Sequence, residues 1–61
     1  MPRSSVSEIR IVLVDDHAMF RAGIKALLES ENRMTVVGEA SSGDEAVDQV
    51  RALKPDVVVM D

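Results

Sequence analysis

Ile11-Val12-Leu13-Val14 runs straight into Asp15 and Asp16, and Val57-Val58-Val59-Met60 runs straight into Asp61. A strand with one face in water alternates apolar and polar residues; an unbroken apolar run marks a strand covered on both faces. Such strands belong to parallel sheets flanked by helices. Each run ends in acid, so the carboxylates sit where the chain leaves the sheet. In open α/β sheets that carboxyl-end rim is where ligands bind.

The intervening segments fill in the order. Phe20, Ile24, Leu27 and Leu28 recur at helical spacing, and Ala18, Ala22 and Ala26 add helix propensity. Gly23 shares the face of Phe20 and Leu27, which suggests a gap letting that helix approach the sheet closely. The helix is expected to fade through Ser30-Glu31-Asn32. Met34 to Ala40 reads as a second strand, shorter and more polar than the other two, as an edge strand would be. Ser42 with Glu45 forms a capping box opening a second helix, whose buried stripe is Ala46, Val47, Val50 and Leu53. Lys54 suits the negative helix end and Pro55 stops the helix.

The pattern is therefore strand, helix, strand, helix, strand. Right-handed crossovers in the spatial order 1-2-3 would put both helices on one face. The order 2-1-3 puts them on opposite faces, which the doubly apolar strands require. The first and third strands then lie side by side, about 4.8 Å apart, and Asp15, Asp16 and Asp61 converge on one crevice.

Composition narrows the function. The 61 residues make at most one small domain, and a chain of that size buries only about 60% of its unfolded surface. Residues 1–8 are polar and serine-rich and are expected to form a disordered tail; residues 9–61 carry the fold. There is no cysteine for a disulfide or thiolate metal site. No apolar run is long enough to cross a membrane. A net charge of −4 and a single aromatic residue, Phe20, argue against direct nucleic-acid binding by this segment. The glycines at 38 and 43 have phosphate-loop spacing, but Asp44 stands where that motif needs lysine.

Crowded carboxylates repel, and they relax by keeping a proton or by taking up a hard cation. Magnesium suits the second route, with oxygen ligands, retained waters and one or two carboxylates plus a phosphate. A carboxylate beside such a cation can attack a phosphoryl group to give an aspartyl phosphate. Taken singly, each acid also has an ordinary role: Asp16 as a helix N-cap, Asp15 as a loop carboxylate, Asp61 as a solvated chain end. His17 reads as a surface residue of a helix's first turn and is left out of the site. Lys25 and Lys54 fall on helices away from the rim.

With Ile11-Val-Leu-Val-Asp-Asp-His17, Phe20-Arg-Ala-Gly23, Val37-Gly-Glu-Ala-Ser-Ser-Gly43 and Pro55-Asp-Val-Val-Val-Met-Asp61 in view, the chain from Ile9 onward resembles the first half of a response-regulator receiver domain. It is most similar to NarL/FixJ-type regulators with a LuxR-type helix-turn-helix output. The resemblance implies a flavodoxin-like doubly wound sheet of order 2-1-3-4-5, of which this chain holds the βαβαβ portion. It implies Asp61 as phosphoacceptor from a sensor histidine kinase and Asp15, Asp16 and Asp61 around Mg2+. It also implies a cytoplasmic protein, DNA contact only through an output domain, a homodimer on activation and no membrane partner. Such a protein is a phosphoacceptor with self-catalysed phosphorylation, not an enzyme in the turnover sense. Family members also carry a serine or threonine after the fourth strand and a lysine after the fifth. The 61 residues stop at the acceptor, so phosphotransfer by them alone is expected to be weak or absent. A receiver-like interaction module that is never phosphorylated is the alternative. A haloacid-dehalogenase-type phosphatase fits poorly, because Asp15-Asp16-His17 is not its Asp-x-Asp motif.

Overall fold

The structure is a computed structural model that describes residues 8–60. Most of the expected 1–8 tail and Asp61 lie outside the described residues. The elements run β1 (Ile9–Val14), α1 (Ala18–Glu29), β2 (Met34–Ala40), α2 (Gly43–Leu53) and β3 (Val57–Met60). The three strands are parallel in the order β2-β1-β3, as the handedness argument requires. At the rim, Val14 pairs with Ala40 on one side and with Met60 on the other.

β1 is the most deeply buried element. Ile11, Val12, Leu13 and Val14 are all at most 6% exposed. Their side chains alternate between faces, and Val12 and Val14 pack with Ala40 of β2 and Ala46 of α2. The start of β3 is tied to β1 by a closed set of bonds. Asp56 donates its N–H to the Arg10 carbonyl at 2.8 Å, and Arg10 returns its own N–H to Asp56 Oδ2 at 2.8 Å. The Arg10 guanidinium also donates to the Lys54 carbonyl at 3.0 Å. Lys54 caps α2 in the left-handed region, with φ 50° and its N–H on the Val50 carbonyl. That conformation is usually left to glycine.

Several expectations need correcting. β2 is an edge strand but not a short one: its seven residues exceed the six of β1 and the four of β3. Its ladder to the whole of β1 sets its length, whatever its polar content. On α1 only Ile24 and Leu28 of the expected stripe are half-buried, while Phe20 and Leu27 are 57% and 70% exposed. The apolar stripe is wider than the sheet surface beneath it among the described residues. Gly23 shares that outward face, and a Cβ there would meet nothing within 4 Å. The close approach belongs to Gly38 instead. The β1–β2 register shifts between Ile11 and Val12, skipping Val37, and a Cβ on Gly38 would run into Gln49 and Leu53 of α2. On α2, Ala46 is buried and Leu53 half-buried. Val47 and Val50 overhang an apolar hollow of about 550 Å³ above Val58 and Met60.

The two glycines should respond oppositely to alanine. Gly38→Ala must displace Leu53 from the core, while Gln49 can swing away, so it should cost roughly 1–2 kcal/mol. Gly23→Ala should stabilise by roughly 0.5–1 kcal/mol through helix propensity. Urea denaturation followed by circular dichroism measures both signs. The far edge of β3 has no neighbour among the described residues, and Val57, Val58 and Met60 are 44%, 38% and 62% exposed. Such edges pair with other chains, so the isolated 61-residue chain is expected to self-associate. Size exclusion with circular dichroism checks this; a monomer with a cooperative melt would contradict it.

Candidate metal centre

The carboxyl ends of the strands open into a crevice of about 370 Å³ lined by Val14, Asp15, Asp16, His17, Ser41, Ser42, Gly43 and Met60. Asp15 follows directly on the buried strand and inherits its burial, with only 1% of its side chain exposed. It is held from several sides. Its N–H donates to the Ala40 carbonyl at 3.0 Å, continuing the β1–β2 pairing one residue past the strands. Its Oδ1 accepts the His17 N–H at 2.7 Å, which satisfies one of the free amides at the start of α1. Its Oδ2 is buried and has no hydrogen-bond partner among the described residues.

Asp16 is not the N-cap of α1. That position belongs to His17, whose backbone is extended and whose side chain makes no capping bond. The Asp16 side chain is 73% exposed at the mouth of the crevice. His17 is a surface residue at the start of α1, as expected, with 71% of its side chain exposed, and the structure places its ring beside these acids. Its Nδ1 lies 2.8 Å from Asp16 Oδ1 and 3.3 Å from Asp15 Oδ1. Ligand atoms of Asp15, Asp16 and His17 all lie within 4.8 Å of one another. The turn through residues 15–17 folds the ring back over the acids, and no spacing rule in the sequence signals that.

The opposite wall is made by the loop into α2. Ser42 Oγ accepts the Glu45 N–H at 3.3 Å, as a capping box requires. Glu45 does not return to Ser42, however; its Oε1 accepts from Ser41 N–H at 2.7 Å and Ser41 Oγ at 2.8 Å. Those bonds hold the Glu45 carboxyl below its ordinary range. Behind Asp15, on the α1 side, lies an ion cluster that sequence reasoning missed. Arg21 Nε donates to Glu39 Oε1 at 3.1 Å and Lys25 Nζ lies 3.2 Å from Glu39 Oε2. The other end of the Arg21 fork donates to the Asp15 carbonyl at 2.5 Å. The only hint was a basic pair four residues apart on α1. The hydrogen bond from Lys25, with the charges of Lys25 and Arg21, holds the Glu39 carboxyl below its ordinary range. Lys25 is thus engaged with Glu39, and Lys54 sits at the C-terminal cap of α2.

A buried carboxylate oxygen without a partner is costly. The Asp15 carboxylate also has a ligand atom within 4.8 Å of one on the solvent-facing Asp16 carboxylate, and both residues line a polar crevice. Oxygen donors of this kind fit a hard divalent cation that keeps part of its water shell. The larger hollow above β3 is lined by apolar side chains apart from Arg51 and offers no such donors. Met60 reaches the crevice wall opposite Val14; Asp61, the third expected ligand, lies outside the described residues.

Known proteins share the sequence and the fold of this chain. Residues 11–61 match the response regulator receiver domain family. The chain is 49% identical over 53 residues to the response regulator GacA of Pseudomonas viridiflava and, equally, to the transcriptional regulatory protein LiaR of Bacillus subtilis. In each case 87% of this chain and 25% of the relative are covered, so the chain spans about a quarter of those proteins. A protein-glutamate methylesterase/protein-glutamine glutaminase of Idiomarina loihiensis is 45% identical, but the match covers only 14% of it. The signal receiver domain of NarL from Mycobacterium tuberculosis superposes with a TM-score of 0.85 at 37% identity, over 88% of this chain and 44% of that one. No helix among the described residues is long and apolar enough to cross a membrane.

The Glu39 cluster sets a pH dependence. Because its carboxyl is held below the ordinary glutamate range, Glu39 contributes stability at neutral pH that is lost as the pH falls through that lowered value. Glu39→Gln should therefore cost less than about 1 kcal/mol at pH 7, and the difference from the unmodified protein should vanish in acid. Urea midpoints measured from pH 7 down to pH ~3 check the sign.

Proposed function

The chain belongs to the response regulator receiver family of two-component systems, and from that premise we propose that Asp61 accepts a phosphoryl group from a sensor histidine kinase at a Mg2+ site held by Asp15, Asp16 and Asp61. The observation that carries this reading is Asp15 Oδ2, a buried carboxylate oxygen at the end of the central strand with no partner among the described residues, on a residue whose ligand atoms lie within 4.8 Å of those of Asp16. When bound, the cation would neutralise crowded carboxylates and the charge on the transferring phosphoryl oxygens.

The chain's own residues do the rest. β1 supplies a rigid base, and Asp15 and Asp16 hold carboxylate at the crevice wall and mouth. β3 ends one residue before Asp61, with Met60 paired to Val14, so the acceptor follows the strand adjacent to the acids. The Asp61 carboxylate forms the new P–O bond as the P–N bond to the kinase's histidine breaks, and the imidazole nitrogen keeps the electron pair. Asp16 and His17 are exposed at the crevice mouth, which leaves the site open to a partner protein.

The proposal extends to an intact regulator in which further strands complete the sheet and an output domain binds DNA. The names of the relatives, among them a transcriptional regulatory protein, support that extension, and the proposal includes a cytoplasmic setting and a homodimer formed on activation. The 61 residues alone lack the serine or threonine and the lysine that the resemblance assigns to later strands. Weak transfer is expected from them.

Incubating the intact regulator with acetyl phosphate and Mg2+ should give an acid-stable, base-labile adduct at Asp61, detected by mass spectrometry. Asp61→Asn should abolish it, and Asp15→Asn or chelation should reduce it to background. A regulator that takes no phosphoryl group under these conditions would be the unphosphorylated interaction module instead.

A further inference from the structure

The Arg21 contacts reach beyond fold stability. Asp15 has four polar atoms, and three of them are fixed by three different residues: N–H by Ala40 of β2, the carbonyl by Arg21 of α1, and Oδ1 by the backbone of His17 at the α1 N-cap. Among the described residues, Oδ2 is left without a partner. Of the three restraints, two use main-chain partners that the fold supplies in any case. The third uses a side chain, and that side chain is itself held. Arg21 is only 20% exposed, and its Nε is committed to Glu39, which Lys25 grips from the other side.

We propose that Arg21 is a positioning residue for the cation site, pinning the peptide between Asp15 and Asp16 so that both carboxylates keep their place at the crevice. This rests on the reading of Asp15 and Asp16 as cation ligands. The physical route is direct. Rotation of that peptide would swing the Asp15 carbonyl and carry Asp16 with it, and a guanidinium fork bonded to Glu39 at one end and to the carbonyl at the other opposes the rotation. Lysine, a point charge on a flexible stem, cannot span both partners. Outer residues that orient metal ligands typically change affinity by roughly 10- to 100-fold when lost.

The sign of the effect separates positioning from simple electrostatics. Arg21 is a cation near a cation site, so removing its charge should by Coulomb's law tighten metal binding or leave it unchanged. A positioning role predicts the opposite. The test is Mn2+ binding to the intact regulator, followed by electron paramagnetic resonance of the free ion, with far-UV circular dichroism on every sample. The unmodified protein should bind Mn2+, and Asp15→Asn should lose it. Arg21→Met should weaken binding by roughly 10- to 100-fold with an unchanged spectrum, and Glu39→Gln should weaken it less.

Should Arg21→Met unfold, Arg21→Lys decides, since it keeps the charge beside Glu39 and loses the fork. Weakened Mn2+ binding by the folded lysine variant supports the proposal. Binding equal to or tighter than the unmodified protein's, in either folded Arg21 variant, overturns it, even if the variant melts at lower temperature. Failure of the unmodified protein to bind Mn2+ removes the cation reading itself, and this proposal with it.

Discussion

Everything in this molecule hangs from the parallel pairing of β1 on both its edges. One strand, buried on both faces, is hydrogen-bonded to β2 on one side and β3 on the other. That pairing forces the two crossover helices onto opposite faces and fixes which strand ends meet. The bonds among Arg10, Lys54 and Asp56 are its lower clasp, holding the start of β3 in register with β1. The chemistry collects at the upper end because the register is maintained over the full length of β3, from Val57 opposite Ile11 to Met60 opposite Val14.

At that upper end the fold does something that packing alone would not favour. It carries a carboxylate into the protein and satisfies all but one of its polar atoms. A buried charge survives when it is paired or bound to a cation. Pairing is spent on orientation here: the cations nearest by, Arg21 and Lys25, are directed to Glu39 and to the Asp15 carbonyl, leaving the Asp15 carboxylate oxygen free. The adjacent Asp16 and His17 stay in solvent. A buried anchor with an exposed neighbour is a sensible division for a site that must bind a small ion and still admit a second protein.

The strands and their order were readable because they rest on strong, local signals. Unbroken apolar runs can only be satisfied by two covered faces, and crossover handedness then leaves one arrangement. The helix faces were less readable. Phe20 and Leu27 mark residues able to be buried, but spacing says nothing of how much sheet surface lies beneath them. Gly23 and Gly38 show the same gap: a glycine's neighbours along the chain do not reveal whether another helix crosses over it. The acid pair was legible as a motif, whereas His17 was not, since its place over the acids follows from one turn's geometry. The Arg21–Glu39–Lys25 cluster joins residues 18 positions apart across two elements. Such pairs leave no periodic trace.

In the proposed reading, the acid tips of β1 and β3 form one divalent-cation site. Paramagnetic broadening of backbone amide resonances in the intact regulator, titrated with substoichiometric Mn2+, tests it most directly. The account predicts that Asp15, Asp16, His17 and Asp61 broaden together and first, ahead of the surface acids Glu29, Glu31, Asp44 and Asp48. Broadening that starts at those surface acids, or that reaches Asp15 and Asp16 but spares Asp61, would contradict it.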